Sequence, residues 1–259
     1  TRVSTTYAIW VLGQVVVAAV SLALNAGRLP LAAQIFAVAA MPLWFAVHVV
    51  SGFARAERLA EGARRALEAD SRLTNVEIIG LRPLAGDIAR AGVGGPLSDE
   101  LQRVVDALSA ADGVVLVSPV FQASYSGLFK SAMDVLPKGT LNGAPVLLGA
   151  TAGTARHSLV AETALRPLAV YMKALPTTTA VFAASEDFGA AWKTDLADPS
   201  KASTDLPEAS LGERIAQAGR ELAAFIERFP RSAVGQWVRW GGVGVGAVLV
   251  LLGALGAFR

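Results

Sequence analysis

The chain of 259 residues contains no cysteine and only two histidines. The absence of cysteine excludes disulfides, zinc–thiolate sites, iron–sulfur clusters and thiol catalysis. Two histidines are too few for a histidine-rich metal site. Charge is also sparse, since 23 basic and 21 acidic residues leave a net charge of +2. Without a basic stripe and interleaved aromatic residues, nucleic acid is not an expected partner.

Hydrophobic residues make up 53% of the chain, and the excess lies at its two ends. Residues 7–24 carry no charge, and residues 29–50 form a second apolar run. A membrane-spanning helix needs roughly 17–25 predominantly apolar residues. The run 7–24 therefore predicts a membrane helix, with a secretory signal as the alternative. Residues 240–258 are also uncharged and predict a transmembrane helix at the carboxyl end.

Arginines follow the amino-terminal apolar region and precede the carboxyl-terminal one. Positive residues near membrane ends favour the cytoplasmic side, so we expect attachment to the lipid bilayer of the cell membrane with the central part in the cytoplasm. The predicted division is a membrane-seeking segment at 1–42, a central domain at 43–230 and a transmembrane helix at 231–259.

The central part alternates short apolar runs with helical patterns. Strands are predicted at residues 75–81, 114–117, 145–150 and 178–184. Such alternation indicates a doubly wound α/β domain with a parallel sheet covered on both faces. Trp44–Val50 is either the first strand or the end of a membrane helix, and we prefer the strand. Five strands then suggest the flavodoxin-like order 2-1-3-4-5.

A loop of small residues with flanking aromatics follows the strand at 114–117, in the sequence SPVFQASYSGLFK (118–130). Ligands of open α/β sheets bind at the carboxyl ends of the strands. Small side chains let a flat ligand approach the backbone, and Phe121 and Tyr125 could pack against its plane. An ordinary turn with two core aromatics is the alternative. The candidate binding residues are Pro119, Phe121, Gln122, Ala123, Ser124, Tyr125, Ser126 and Gly127.

A second loop leaves the neighbouring strand at the same edge, in the sequence ATAGTARHS (150–158). Small residues, a helix start and a cation together suit an electron-rich or anionic group. The candidates here are Thr151, Gly153, Thr154 and Arg156. Lys130 and Asp134 lie one helical turn apart and predict a surface ion pair rather than an acid–base pair.

Three segments carry a resemblance to a known family: SPVFQASYSGLFKSAMDVLP, LNGAPVLLGATAGTARHSL and ALRPLAVYMKAL. Over residues 54–229 the chain resembles the NADPH-dependent FMN reductases, which have a flavodoxin-like fold. It is most similar to the branch that partners luciferase-like flavin monooxygenases. The resemblance implies FMN over Pro119–Gly127, ring contacts from Gly153, Thr154 and Arg156, and NADPH or NADH as hydride donor.

One part of the family pattern is missing. The family carries a loop after the first strand whose Ser/Thr residues and arginine cradle the flavin phosphate. The equivalent region here is 51–55, where only Ser51 and Arg55 suit an anion.

The leading hypothesis is a membrane-tethered NAD(P)H-dependent FMN reductase that delivers reduced flavin to a partner such as a monooxygenase, or electrons to membrane carriers. The main alternative is a non-catalytic assembly subunit of a membrane complex, in which the flavin site of this chain is degenerate. A third interpretation is that the amino-terminal segment comes from a misjoined reading frame. Nucleotide preference, a homo-oligomeric state and the number of spans stay open.

Overall fold

A computed structural model describes residues 31–70, 73–189, 209–231 and 246–252. The chain divides into two compact units, Thr1–Ser51 and Gly52–Arg259. Helix α1, Leu31–Glu68, begins in the first unit and continues into the second. Trp44–Val50 lie inside α1, so the prediction that they form the first strand is wrong. Helix propensities of aromatic and β-branched residues are only some tenths of a kcal/mol below those of alanine, and the alanine-rich helix runs through them.

The second unit alternates strands and helices as the sequence predicted. Its further elements are β1 (Leu73–Gly80), α2 (Ala85–Gly92), α3 (Asp99–Ala110), β2 (Gly113–Phe121), β3 (Ser124–Tyr125), α4 (Gly127–Val135), β4 (Pro145–Ala152), a 3-10 turn (Ala155–His157), a π-helical turn (Ala161–Leu165), α5 (Arg166–Tyr171), β5 (Leu175–Pro176), β6 (Val181–Ala184), a second 3-10 turn (Ser185–Phe188), α6 (Ala209–Arg228) and β7 (Gly246–Leu252).

The sheet has the order β1-β7-β2-β4, with β5 against the start of β4 and β6 against its end. These pairs are parallel, whereas β2 and β3 form an antiparallel hairpin. The predicted α/β class is therefore confirmed, with a mixed sheet. The central position assigned by prediction to Trp44–Val50 is held by β7.

The transmembrane helix predicted at 240–258 is wrong over Gly246–Leu252, which form β7. A short uncharged run rich in valine suits a strand buried between two others as well as it suits a membrane. Within the described ranges, no helix combines the length and apolarity that crossing a bilayer requires. The run 7–24 lies outside the described residues.

Helices cover both faces of the sheet. Val114 and Leu116 of β2 belong to a buried cluster with α2, α3, α4 and α5. On the opposite face, a Cβ added to Gly149 would lie 3.3 Å from Leu59 Cδ2 of α1 and 3.1 Å from Val117. At Gly113, an added Cβ would lie 2.6 Å from Ile226 Cδ1 of α6. These two glycines let α1 and α6 lie close to the strands.

The predicted strand 178–184 is shorter in the structure and comprises only β6. The backbone groups before β6 form hydrogen bonds with side chains instead of with a neighbouring strand. Glu221 accepts hydrogen bonds from the amides of Thr178 and Thr179, at 2.6 Å and 3.1 Å. Arg166 donates to the carbonyl of Thr177 at 2.7 Å. Ser98 caps the start of α3, since its Oγ accepts a hydrogen bond from the amide of Leu101 at 3.2 Å.

Candidate functional site

The loop after β2 is a two-residue hairpin. Phe121 pairs with Ser124 across it. The two residues at its tip, Gln122 and Ala123, have φ angles of 48° and 64°. Turns of this kind favour Asn-Gly because both central residues are left-handed, and such backbone strain in non-glycine residues clusters at functional sites. Sequence reading placed these residues in the site but missed the hairpin, since Gln-Ala carries no turn signal.

Two serines fix the ends of this hairpin. Ser118 is 1% exposed, and its Oγ accepts a hydrogen bond from the amide of Ser126 at 2.9 Å and donates to the carbonyl of Pro119 at 3.0 Å. Ser126 then caps α4, because its Oγ accepts from the amide of Phe129 at 3.2 Å. The hairpin is therefore held in shape from inside the protein.

The two aromatic residues of the hairpin have different neighbours. Phe121 packs edge-on to Phe53 with ring centroids 5.4 Å apart. The ring centroid of Tyr125 lies 5.9 Å from that of Phe129. Phe121 pairs with Ser124, and Tyr125 pairs with Val120. Side chains alternate faces along a strand, so Phe121 and Tyr125 lie on opposite faces of the hairpin. The structure does not bring them together against one plane.

The second predicted loop lies beside the hairpin, because Pro119 of β2 pairs with Thr151 of β4. Thr151 is 1% exposed, and its Oγ1 has no hydrogen-bond partner among the described residues. A buried hydroxyl without a partner costs about 1–3 kcal/mol. Gly153 is exposed, and no atom of the described residues lies within 4 Å of a Cβ added to it. The adjacency of the two loops, expected from strand order alone, is confirmed.

Thr154 and Arg156 continue this second loop. Thr154 precedes the 3-10 turn Ala155–His157, and Arg156 within that turn is exposed. Ser185 Oγ, just after the neighbouring strand β6, is also buried and has no partner among the described residues. Sequence reading missed Ser185, although a hydroxyl directly after a strand is a detectable signal.

Ser51 and Arg55 lie in α1, so the prediction of a loop at 51–55 is wrong. Ser51 Oγ donates to the carbonyl of His48 at 2.9 Å. Arg55 is 4% exposed, and burial lowers the pKa of its guanidinium to about 10. A phosphate role for either residue stays a prediction.

Arg82 is a functional candidate that sequence reading missed. It follows β1 at the carboxyl edge of the sheet, and its guanidinium carbon lies 5.4 Å from the centroid of the Phe53 ring. Burial raises the pKa of the nearby Glu57 carboxyl to about 7, against the opposing effect of the Arg82 charge. A basic residue directly after a predicted strand was the available signal.

The expected surface ion pair is present. Lys130 and Asp134 form an exposed ion pair, and the hydrogen bond to Asp134 raises the pKa of the Lys130 ammonium. Among the described residues, no group of acidic or histidine side chains could hold a metal ion.

Comparisons with known proteins agree with this geometry. A family model described as NADPH-dependent FMN reductase matches residues 46–189, which is more than half of the chain. An FMN reductase (NADPH) of Pseudomonas aeruginosa is 38% identical over 124 residues, 48% of this chain and 64% of that protein. An NADH-dependent FMN reductase of Pseudomonas putida is 35% identical over 150 residues, 55% of this chain and 78% of that protein.

The chain is also similar to a solved structure. The crystal structure of an oxidoreductase from Corynebacterium diphtheriae is 40% identical to the matched part, with a TM-score of 0.55. The match covers 66% of this chain and 86% of that one.

Proposed function

We propose that this chain, which belongs to the NADPH-dependent FMN reductase family, reduces FMN with a nicotinamide nucleotide as hydride donor. The observation that carries the proposal is the pairing of Pro119 with Thr151. It places a strained hairpin and an open glycine loop side by side at the carboxyl edge of the sheet. Ligands of doubly wound folds bind at this edge.

The residues at this edge fit a flavin ring. The tip residues Gln122 and Ala123 are exposed, so a flat ring can approach the hairpin closely. Gly153, two residues after Thr151, leaves open space among the described residues. A flavin ring carries oxygen and nitrogen acceptors, which suit backbone N–H groups and the hydroxyl of Thr151, for which the described residues offer no partner. A buried donor without a partner is the feature that a bound ligand would satisfy.

The protein's task is to bind and orient. The hairpin Pro119–Gly127 and the loop at Gly153 and Thr154 would hold the ring, and Arg156 would attract an anionic part of either nucleotide. Bound FMN supplies the redox chemistry. Fixed N–H donors favour the negative charge that reduction creates, so no side chain is needed as a proton donor.

The test is to titrate purified protein with FMN, following flavin fluorescence, and then to measure oxidation of NADPH and NADH. We expect saturable FMN binding and oxidation of at least one nucleotide that depends on FMN. Binding without turnover would favour the non-catalytic scaffold instead. Protein that neither takes up FMN nor oxidises either nucleotide would refute the proposal.

We also propose that the amino-terminal part attaches the chain to the cytoplasmic side of the cell membrane. The support is the uncharged run 7–24, with arginines after the apolar region. Washing membranes with carbonate should leave the full chain in the pellet. Release into the supernatant would contradict the attachment without affecting the flavin assignment.

A flavin-dependent monooxygenase is the proposed recipient of the reduced FMN, on the basis of the sequence resemblance. Such a monooxygenase should turn over in a mixture of this chain, FMN and a nicotinamide nucleotide. Equal turnover when the two enzymes are separated by a dialysis membrane would show that no complex is needed.

A further inference from the structure

The strand β7 comes last in the chain but lies inside the sheet, between β1 and β2. Val250 pairs with Ile78 on one side and with Val115 on the other. Its last residue, Leu252, is level with Gly80 and Val117. In the order 2-1-3-4-5 this position belongs to the first strand. Here the sheet receives its central strand from the opposite end of the sequence.

The position of β7 sets the distance between β1 and β2. Neighbouring strands lie about 4.8 Å apart, so β7 holds β1 and β2 roughly two such spacings apart. Arg82 follows β1, and Phe121 ends β2. Phe53 lies against both of them, with its ring centroid 5.4 Å from the Arg82 guanidinium carbon and 5.4 Å from the Phe121 ring. This contact needs the spacing that β7 provides.

Arg231 is held close to the start of β2. Arg231, just after α6, donates hydrogen bonds to the carbonyls of Leu108 at 2.6 Å and Ala111 at 2.9 Å. It also donates to the carbonyl of Thr140 at 2.7 Å. Ala111 lies two residues before Gly113, the start of β2, which pairs with Val248 of β7. Arg231 therefore anchors the chain near the sheet edge where β7 enters.

The pairing of β7 is also the least local in the fold. It joins Leu73 to Gly246, so closing this contact carries a large loop entropy that local pairs such as β2 and β3 do not carry. Contacts of this kind close late in folding, because the loop entropy is lost before the contact is gained.

We propose that β7 is the closing element of the flavin site: its docking between β1 and β2 and the binding of FMN are coupled, each favouring the other. The inference rests on the proposed function. Without β7, the ends of β1 and β2 lose their spacing, and Phe121 loses its fixed contact with Phe53. Because coupling between two binding events is reciprocal, bound FMN must stabilise the docked strand.

The absence of cysteine from the chain allows a direct test of docking in the full-length protein. Glu77 pairs with Leu249, within the separation that a disulfide bridges. The double variant Glu77→Cys/Leu249→Cys should form a disulfide under mild oxidation. The matched control Glu77→Cys/Leu252→Cys places the thiols about 10 Å apart along the strand and should stay reduced. Free thiols in a folded Glu77→Cys/Leu249→Cys variant would overturn the docking.

Hydrogen exchange of the unmodified chain tests the coupling. Saturating FMN should slow exchange of the amides of β1 and β2 at least tenfold more than exchange in α6. Equal slowing in all three elements would mean general stabilisation and would overturn the coupling. Failure to take up FMN refutes the proposed function, and the coupling with it. Unlinked thiols in a protein that binds FMN refute the docking and the coupling but leave the proposed function standing.

Discussion

Ser118 Oγ accepts a hydrogen bond from the amide of Ser126 at 2.9 Å, across the base of the β2–β3 hairpin. Both residues are 1% exposed, so no water replaces either partner. The contact joins the end of the buried part of β2 to the N-cap residue of α4. It is the reason that a hairpin with a strained tip keeps one shape.

Replacing Ser118 with alanine leaves the Ser126 amide buried without this partner. An unsatisfied buried donor costs about 1–3 kcal/mol, so we expect Ser118→Ala to lower the free energy of unfolding by that amount and to weaken FMN binding. Urea denaturation and FMN titration measure the two effects. The exposed Ser131 in α4 provides the control, since Ser131→Ala should change neither. Unchanged stability of Ser118→Ala would contradict the role of the contact.

Replacing Ala123 with glycine relieves the left-handed backbone at the hairpin tip, where φ is 64°. An L-residue there costs about 1–2 kcal/mol, part of which glycine loses again through its flexibility in the unfolded chain. We expect Ala123→Gly to raise the free energy of unfolding by about 0.5–1 kcal/mol. The β-branched variant Ala123→Val should lower it. A lower stability of Ala123→Gly than of the parent chain would show that the turn is not strained.

Replacing Thr151 with valine should change protein stability and FMN binding in opposite directions. Valine has nearly the same shape and removes the hydroxyl that has no partner among the described residues. We expect Thr151→Val to stabilise the protein by about 1 kcal/mol while weakening FMN binding by roughly twofold to tenfold, the value of one hydrogen bond. Tighter or equal FMN binding would mean that the hydroxyl does not reach the flavin.

Replacing Gly153 with leucine should block the ring without disturbing the fold, because no atom lies within 4 Å of an added Cβ. We expect Gly153→Leu to unfold at the same urea concentration as the parent chain and to lose FMN binding at least tenfold. Gly86 in α2 has equally open surroundings, so Gly86→Leu is the matched control. Full FMN uptake by Gly153→Leu would remove that loop from the site.

Glu57 makes stability depend on pH near neutrality. Burial raises the pKa of its carboxyl from 4.5 to about 7, so the folded state favours the protonated form. The stabilising contribution is complete below pH 4.5 and is lost as pH rises through about 7. We expect the free energy of unfolding to fall from pH 5 to pH 8 in the parent chain, and to fall less in Glu57→Gln.

The control for this experiment is Glu61 in the same helix. Its pKa is lowered, chiefly by the hydrogen bond from Arg64, so its stabilising effect is present above pH 4.5 and is lost only at lower pH. Glu61→Gln should therefore shift stability equally at pH 5 and pH 8. Parallel curves for the parent chain and Glu57→Gln would show that Glu57 does not titrate in this range.

Sequence reasoning found most of the strands because buried parallel strands are short apolar runs between helices. It failed where two environments favour the same composition. Trp44–Val50 and Gly246–Leu252 are both uncharged or nearly so. The hydrophobicity of a segment indicates that it is buried, but it does not indicate whether a strand, a helix or a lipid surrounds it. Only pairing with distant strands decides between them, and that pairing has no local signal.

The candidate site could likewise be predicted only in part. The neighbourhood of Pro119 and Thr151 came from strand order, which is a property of the whole fold class. The left-handed backbone at Gln122 and Ala123 was beyond prediction, because neither residue favours it. The contact between Arg82 and Phe53 depends on where α1 lies, and part of that helix, Trp44–Val50, was predicted to be a strand.

The place of β7 in the sheet also bears on how the protein is made. A ribosome adds about 5–20 residues per second, and 124 residues lie between the end of β2 at Phe121 and the start of β7 at Gly246. For roughly 6–25 seconds, each nascent chain therefore exposes two unpaired strand edges, which are sites for aggregation. Slower initiation of translation or a strand-shielding chaperone should raise the yield of folded protein more than added flavin does.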